Sequence, residues 1–232
     1  MNKQLTFLLA LTFLFLFSGS SVVFGDDLQD GRDAYHRKDY KTAYKLVAPL
    51  AEQGVADAQN VLGVMYNLGR GVPQDYKEAV RLYRLSAEQG FAKGQSNLGA
   101  MYQDGQGVPQ DYKEALRLFR PAAEQGFAVA QQNLGYMYDF GQGVPQDDKE
   151  AVKWYRLAAE QGNALAQFSL GTMYETGQGV PQDNLLAHMW FNIAGSNGDE
   201  DAIGTRNEVE EKMTPQQIEK AQEMARKWKP KK

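Results

Sequence analysis

The sequence predicts an all-α protein, a solenoid of about five helix pairs closed by a C-terminal capping helix. Three observations carry that prediction. A block opening Gly71-Val72-Pro73-Gln74-Asp75 returns almost unchanged at Gly107, Gly143 and Gly179, always at a step of 36 residues. Each full block holds two segments of helical periodicity, the first ending Ala-Glu-Gln-Gly and the second carrying Leu-Gly-x-Met-Tyr. The recurrence stays in phase, so each unit must bury its apolar side against its neighbours.

Taken in order, residues 1–25 come first. Lys3 is the only charged side chain there; Leu5 to Phe17 is apolar except for two threonines, and small residues lead to Gly25. That pattern predicts a secretory signal peptide cleaved after Gly25, with an apolar core too short for a transmembrane helix of about 20 residues. Residues 26–34 read as a polar lead-in. Repeat units follow at 35–70, 71–106, 107–142, 143–178 and 179–212, then a capping helix and tail over 213–232. The first unit lacks the GVPQD opening, as a terminal unit meeting water on one face should.

In the first helices, Asp75, Asp111 and Asp147 stand as N-caps, with Glu78, Glu114 and Glu150 three residues on. This pairing is expected to satisfy free amides at both positions. Ala79, Leu82, Tyr83 and Ala87 form the apolar set, repeated 36 and 72 residues later. Pro49 and Pro121 lie inside first helices and should bend or interrupt them. Gly90, Gly126 and Gly162 are placed to end these helices as left-handed residues. In the second helices, Gly63, Gly99, Gly135 and Gly171 sit mid-helix at a cost of up to about 1 kcal/mol each. A steric need is implied, most simply a backbone crossing. Gly69, Gly105, Gly141 and Gly177 end these helices, and the prolines of the loops stop their continuation.

The pattern Ala-x-x-Trp/Tyr-Tyr-x-x-Ala-Ala-x-x-Gly, followed by Ala-x-x-x-Leu-Gly-x-x-Tyr-x-x-Gly-x-Gly-Val, resembles the Sel-1-like repeat (SLR) family over residues 35–200. That family is related to the tetratricopeptide repeat. The resemblance implies a right-handed superhelix of antiparallel helix pairs and protein–protein interaction or adaptor work, tied in exported bacterial members to envelope assembly or host contact. It also implies an alternative, because cysteine-rich exported relatives are credited with binding or hydrolysing β-lactams. On that reading the chain is a cell-wall or β-lactam binding protein or hydrolase. No cysteine is present here.

The fifth unit departs from the pattern. Arg206-Asn207 replaces Leu-Gly, Glu210 replaces the tyrosine, and the first-helix positions that are basic elsewhere become Leu185, Met189 and Asn192. Thr214-Pro215-Gln216-Gln217 is a capping box with proline at N1, opening a helix expected over Pro215 to Lys229. Its stripe of Ile218, Ala221, Met224, Ala225 and Trp228 is expected to cover that altered face, while residues 230–232 should fray.

Without residues 1–25 the chain has 24 basic and 29 acidic residues, a net of −5, which is the wrong sign for a phosphate-backbone binder. No nucleic-acid partner, cofactor or metal is expected. The two histidines, His36 and His188, fall in different units; His36 reads as solvated and His188 as partly exposed beside Trp190. The GxGV loops follow helices rather than strands and read as turns. The remaining candidates are Lys77, Arg81 and Arg84, repeated as Lys113, Arg117, Arg120 and as Lys149, Lys153, Arg156, each triplet on one helix face. One reading is a solvated face carrying Arg84–Glu88-type pairs; the sharper one is a basic ladder for an acidic or extended partner. The sequence therefore predicts an exported, periplasmic or secreted, non-enzymatic scaffold that binds a protein or peptide along the inner face of its first helices.

Overall fold

A computed structural model describes residues 26–231, and every regular element among them is helical. The predicted signal peptide and Lys232 lie outside the described residues. The chain divides into two compact units, and the division falls inside one helix, after Gly94.

The first unit holds α1 (residues 26–36), α2 (Tyr40–Glu52), α3 (Ala56–Leu68) and α4 (Tyr76–Glu88). The expected polar lead-in is thus a helix. Its Leu28, Ala34 and Tyr35 pack on Ala43, Val47, Leu62 and Met65 of α2 and α3. Gly31 permits that approach, because a Cβ there would lie 2.7 Å from Val47 Cγ2. Apolar residues at helical spacing outweigh the polar majority of this segment.

The second unit holds most of α5 (Ala92–Asp104), then α6 (Tyr112–Glu124), α7 (Ala128–Asp139), α8 (Asp148–Glu160), α9 (Ala164–Thr176), α10 (Asn184–Ser196), α11 (Glu200–Glu210) and α12 (Pro215–Lys227). From α6 to α11 each helix packs on the next, and α12 packs on α10. Helices α2 and α6 run unbroken past Pro49 and Pro121, whose carbonyls accept from Gln53 and Gln125 at 3.1 Å, so the prolines interrupt neither helix.

The loop aspartates cap as expected. Asp75 Oδ1 accepts from the Lys77 and Glu78 amides at 2.9 and 3.1 Å, and Asp111, Asp147 and Asp183 repeat the arrangement. The reciprocal half of the expected box does not form. The Asp75 amide instead donates to the Tyr66 carbonyl at 3.0 Å, and Asp111, Asp147 and Asp183 donate to Tyr102, Tyr138 and Tyr174. With that donor already satisfied, Glu78 and Glu114 turn to arginines one turn ahead.

The mid-helix glycines do answer a steric need, but an aromatic ring meets them rather than a backbone. A Cβ on Gly63, Gly99, Gly135 or Gly171 would lie 2.7–2.8 Å from the ring of Tyr83, Phe119, Tyr155 or Phe191 respectively. The close backbone approach occurs in the loops, where a Cβ on Gly107 or Gly143 would lie 2.5 Å from the carbonyl oxygen of Tyr76 or Tyr112.

A half-buried polar relay joins successive repeats inside each unit, from an exposed donor to a buried glutamine. Gln59 on α3 donates to the Ala51 carbonyl and accepts from Gln89, the residue capping α4, at 2.8 Å. In the second unit Gln125 donates to Gln95, Gln161 to Gln131 and Asn197 to Gln167, at 2.7–3.1 Å. A buried amide is tolerated only when its hydrogen-bonding groups are satisfied. Meeting that requirement at Gln59, Gln95 and Gln131 explains the glutamine in the Ala-Glu-Gln-Gly runs that end at Gly90, Gly126 and Gly162.

At the C-terminus, Met224, Ala225 and Trp228 pack on the core containing Met189, Trp190 and Ile193, as the altered fifth-unit face predicted. The capping box and N1 proline of α12 are present. Helix α12 stops at Lys227 rather than Lys229, with Trp228 already extended ahead of Pro230. Residue 231 does not fray. Its amide donates to the Glu160 carbonyl at 2.7 Å and its Nζ to Glu160 Oε2 at 2.8 Å.

Candidate partner-binding surfaces

All nine predicted cations are exposed. In the first unit, the Asp75 cap sets the start of α4 and so the face that shows Lys77, Arg81 and Arg84. Arg81 makes a two-pronged bond to Glu78, Nε to Oε2 at 2.9 Å and Nη2 to Oε1 at 2.6 Å. That bond raises the Arg81 pKa further above its ordinary value.

In the second unit, α7 packs against both α6 and α8, which carry the other two triplets. Arg117 forks onto Glu114 at 2.6 and 2.8 Å, and Lys153 Nζ reaches both Glu150 oxygens at 3.0–3.2 Å. In each pair the glutamate lies three residues back, within the first turn, where the loop aspartate's amide is already satisfied. Arg120 and Arg156 donate to the hydroxyls of Tyr138 and Tyr174, at 2.9 and 3.0 Å, rather than to Glu124 and Glu160. Glu160 is bonded to Lys231. With the cation side chains 56–68 % exposed, the three glutamate pairs contribute a few tenths of a kcal/mol each to stability. Their main effect is to hold a cation in one orientation.

His36 is exposed as expected, but His188 is not partly exposed: it is fully buried, with Nε2 2.7 Å from Glu210 Oε1. The other repeats have Tyr44, Val80, Leu116 and Val152 at this position, and Tyr66, Tyr102, Tyr138 and Tyr174 at the position of Glu210. Two departures from the repeat thus answer one another across α10 and α11. Among the described residues no group of three or more His, Cys, Asp or Glu side chains is placed to hold a metal ion. No described helix is long and apolar enough to cross a membrane.

Sequence reasoning missed a hollow of about 470 Å³ beside the end of α7, lined by Tyr136, Asp139, Phe140, Tyr155, Phe168 and Met173 among others. The Tyr136 and Phe140 rings lie 4.5 Å apart between centroids, and Phe140 is 60 % exposed. Tyr155 donates its hydroxyl to Asp139 Oδ2 at 3.1 Å. Burial, outweighing that bond, pushes the Asp139 carboxyl above its ordinary pKa. A signal existed: Tyr136, Asp139 and Phe140 stand where the preceding repeats have Ala100, Gln103, Asp104 and Val64, Asn67, Leu68.

Comparison with known proteins places this geometry. The Sel1 repeat profile matches residues 56–91, 92–127, 128–163 and 164–199, each match running from a second helix through the next first helix. A solved Sel1 repeat protein from Oxalobacter formigenes is 32% identical, with 87% of this chain and 82% of that one covered at a TM-score of 0.74. The protective antigen c5321 of uropathogenic Escherichia coli, which displays an SLR fold, is 30% identical at a TM-score of 0.58. The alignment covers 91% of this chain and 54% of c5321, so this chain spans about half its length. A putative Sel1 repeat protein from Klebsiella pneumoniae, 22% identical over 81% of this chain and 93% of that one at a TM-score of 0.57, shares the fold. No curated protein sequence matches. The four in-phase matches and the two structures at 30% identity or more agree with the succession of helix pairs. The chain belongs to the Sel1 repeat family, whose members are generally scaffolds for protein–protein interaction.

Proposed function

We propose that this chain is an exported scaffold that holds an acidic, extended segment of another protein against the cationic side of its first helices. The observation that supports the reading is the exposure of all nine cations at one repeated set of positions, with Arg81, Arg117 and Lys153 each steered by a glutamate on its own helix. Orientation before contact lowers the side-chain ordering cost of binding. The fifth repeat supplies an internal contrast, because its equivalent positions are Leu185, Met189 and Asn192, and Met189 lies in the core that Met224 and Trp228 cover. Export rests on residues 1–25, with their single lysine, apolar run and small-residue exit.

The test uses residues 26–232 as bait in bacterial envelope and host-cell extracts, beside an Arg81→Glu/Arg117→Glu/Lys153→Glu variant. The expected result is a partner released by raised salt and lost to the variant, since exposed charge is screened within about 10 Å at 0.1 M salt. A partner held equally by both proteins refutes the cationic surface. For export, the full chain expressed in a bacterium should yield a periplasmic or secreted product beginning at Asp26. Retention of Met1 on a cytoplasmic product refutes it.

A further inference from the structure

The hollow beside the end of α7 carries chemistry that the basic first helices do not. Its one charged lining group is Asp139, and no lysine, arginine or histidine lines it. A carboxylate drawn partly out of water with no cation beside it is electrostatically incomplete. The influences on Asp139 agree: burial is the largest and raises its pKa, Asp148 raises it further, and only the Tyr155 hydroxyl opposes them. Next to it, Phe140 is 60 % exposed and forms a tilted pair with Tyr136. Large apolar side chains left open to water beside a carboxylate favour a group both cationic and partly apolar, which aromatic faces attract through their quadrupoles. These three residues depart together from the two preceding units, which place Ala100, Gln103 and Asp104, and Val64, Asn67 and Leu68, at the same positions; the following unit keeps a carboxylate as Glu175 but puts Thr172 and Thr176 where the two rings stand. Helix packing and loop capping do not require the change, since those units fold without it.

We propose that this hollow binds a lysine or arginine side chain presented by a partner polypeptide, with Asp139 pairing its charge and Phe140 and Tyr136 covering its stem. The volume of about 470 Å³ exceeds that of one such side chain and admits the flanking backbone, which favours a polypeptide over a free amine. The site is chemically opposite to the cationic first helices, so a partner engaging both must carry acidic and basic stretches.

The experiment is an amide NMR titration of residues 26–232 with N-acetyl-lysine methylamide and N-acetyl-arginine methylamide. N-acetyl-norleucine methylamide serves as the uncharged control and butylammonium as the amine without backbone. Saturable shifts are expected at residues 136–140 and 168–178 with the cationic amides, and at least about tenfold weaker binding with norleucine. Asp139→Asn and Phe140→Ala should each weaken the cationic amides by about fivefold or more while helical circular dichroism stays unchanged. Equal binding of norleucine, or cationic binding indifferent to both substitutions, overturns the proposal. Butylammonium binding as tightly as the lysine amide overturns the polypeptide as its source.

Discussion

Replacing Gly135 with alanine sets two known effects against each other. Alanine is favoured over glycine in a helix interior by up to about 1 kcal/mol, so propensity alone predicts a more stable protein. The added Cβ, however, would lie 2.7 Å from Tyr155 Cδ1 and 2.8 Å from Cε1. The ring cannot yield easily, because Tyr155 is 1% exposed and its hydroxyl is tied to Asp139. Forcing a methyl into such a packed site costs about 1–3 kcal/mol, so that against a propensity gain of about 1 kcal/mol the net loss for Gly135→Ala is roughly 0–2 kcal/mol. Urea unfolding followed by circular dichroism measures it as a lowered midpoint. The decisive arm repeats the substitution in a Tyr155→Leu background. There the ring is gone, and Gly135→Ala should become neutral or stabilising. If alanine costs the same in both backgrounds, the ring is not what the glycine accommodates, and the steric reading of all four mid-helix glycines fails.

Three further outcomes follow from the same packing. Gln131→Ala removes the Gln161 bond and leaves the Ala123 carbonyl without its side-chain donor, at a cost of about 1–3 kcal/mol by urea midpoint; Gln→Ala at exposed Gln74 should cost less. Because the folded-state pKa of Asp139 is raised, ionising it opposes folding. The penalty is absent below its ordinary value of 3.8 and accumulates as pH rises through the folded pKa, so Asp139→Asn should raise the melting temperature at pH 7 and not at pH 3. An equal gain at both pH values would exclude a charge effect. Trp228→Ala should lower stability by about 1–2 kcal/mol and increase binding of an apolar dye at Met189 and Trp190; an unchanged dye signal would show that α12 does not shield that face.

What the amino-acid pattern revealed was the part written locally and repeatedly. Asp75, Asp111 and Asp147 cap helices through bonds spanning two or three residues, and Gly90 or Gly126 ends one by its own backbone angle, so period and residue type suffice. Interactions that close across elements were read less well. Nothing near Glu78 in sequence tells that the Asp75 amide is already claimed by Tyr66, and this decides whether a capping box forms. His188 and Glu210 are 22 residues apart, and only the packing of α10 on α11 makes two irregularities into one pair. The hollow at Asp139 escaped for a related reason. Reading by repeat averages the units together, and a site formed by departures from the average is what averaging removes. The lead-in failed differently: Leu28, Ala34 and Tyr35 are too few to announce a helix until α2 and α3 supply the surface they cover.

The glutamine relay bears on how such a chain changes length over generations. Each bond joins residues 30 positions apart, as in Gln95–Gln125 and Gln131–Gln161, and each module contributes one half of the bond on either side. Excising residues 128–163 would join Phe127 to Ala164 and keep Gln125 with Gln95 and Asn197 with Gln167. A loss or gain of some other length would strand amides in the dry interior. Recombination that adds or removes whole periods therefore keeps every such bond paired, while point changes such as those at Tyr136 and Phe140 diversify one module within that frame.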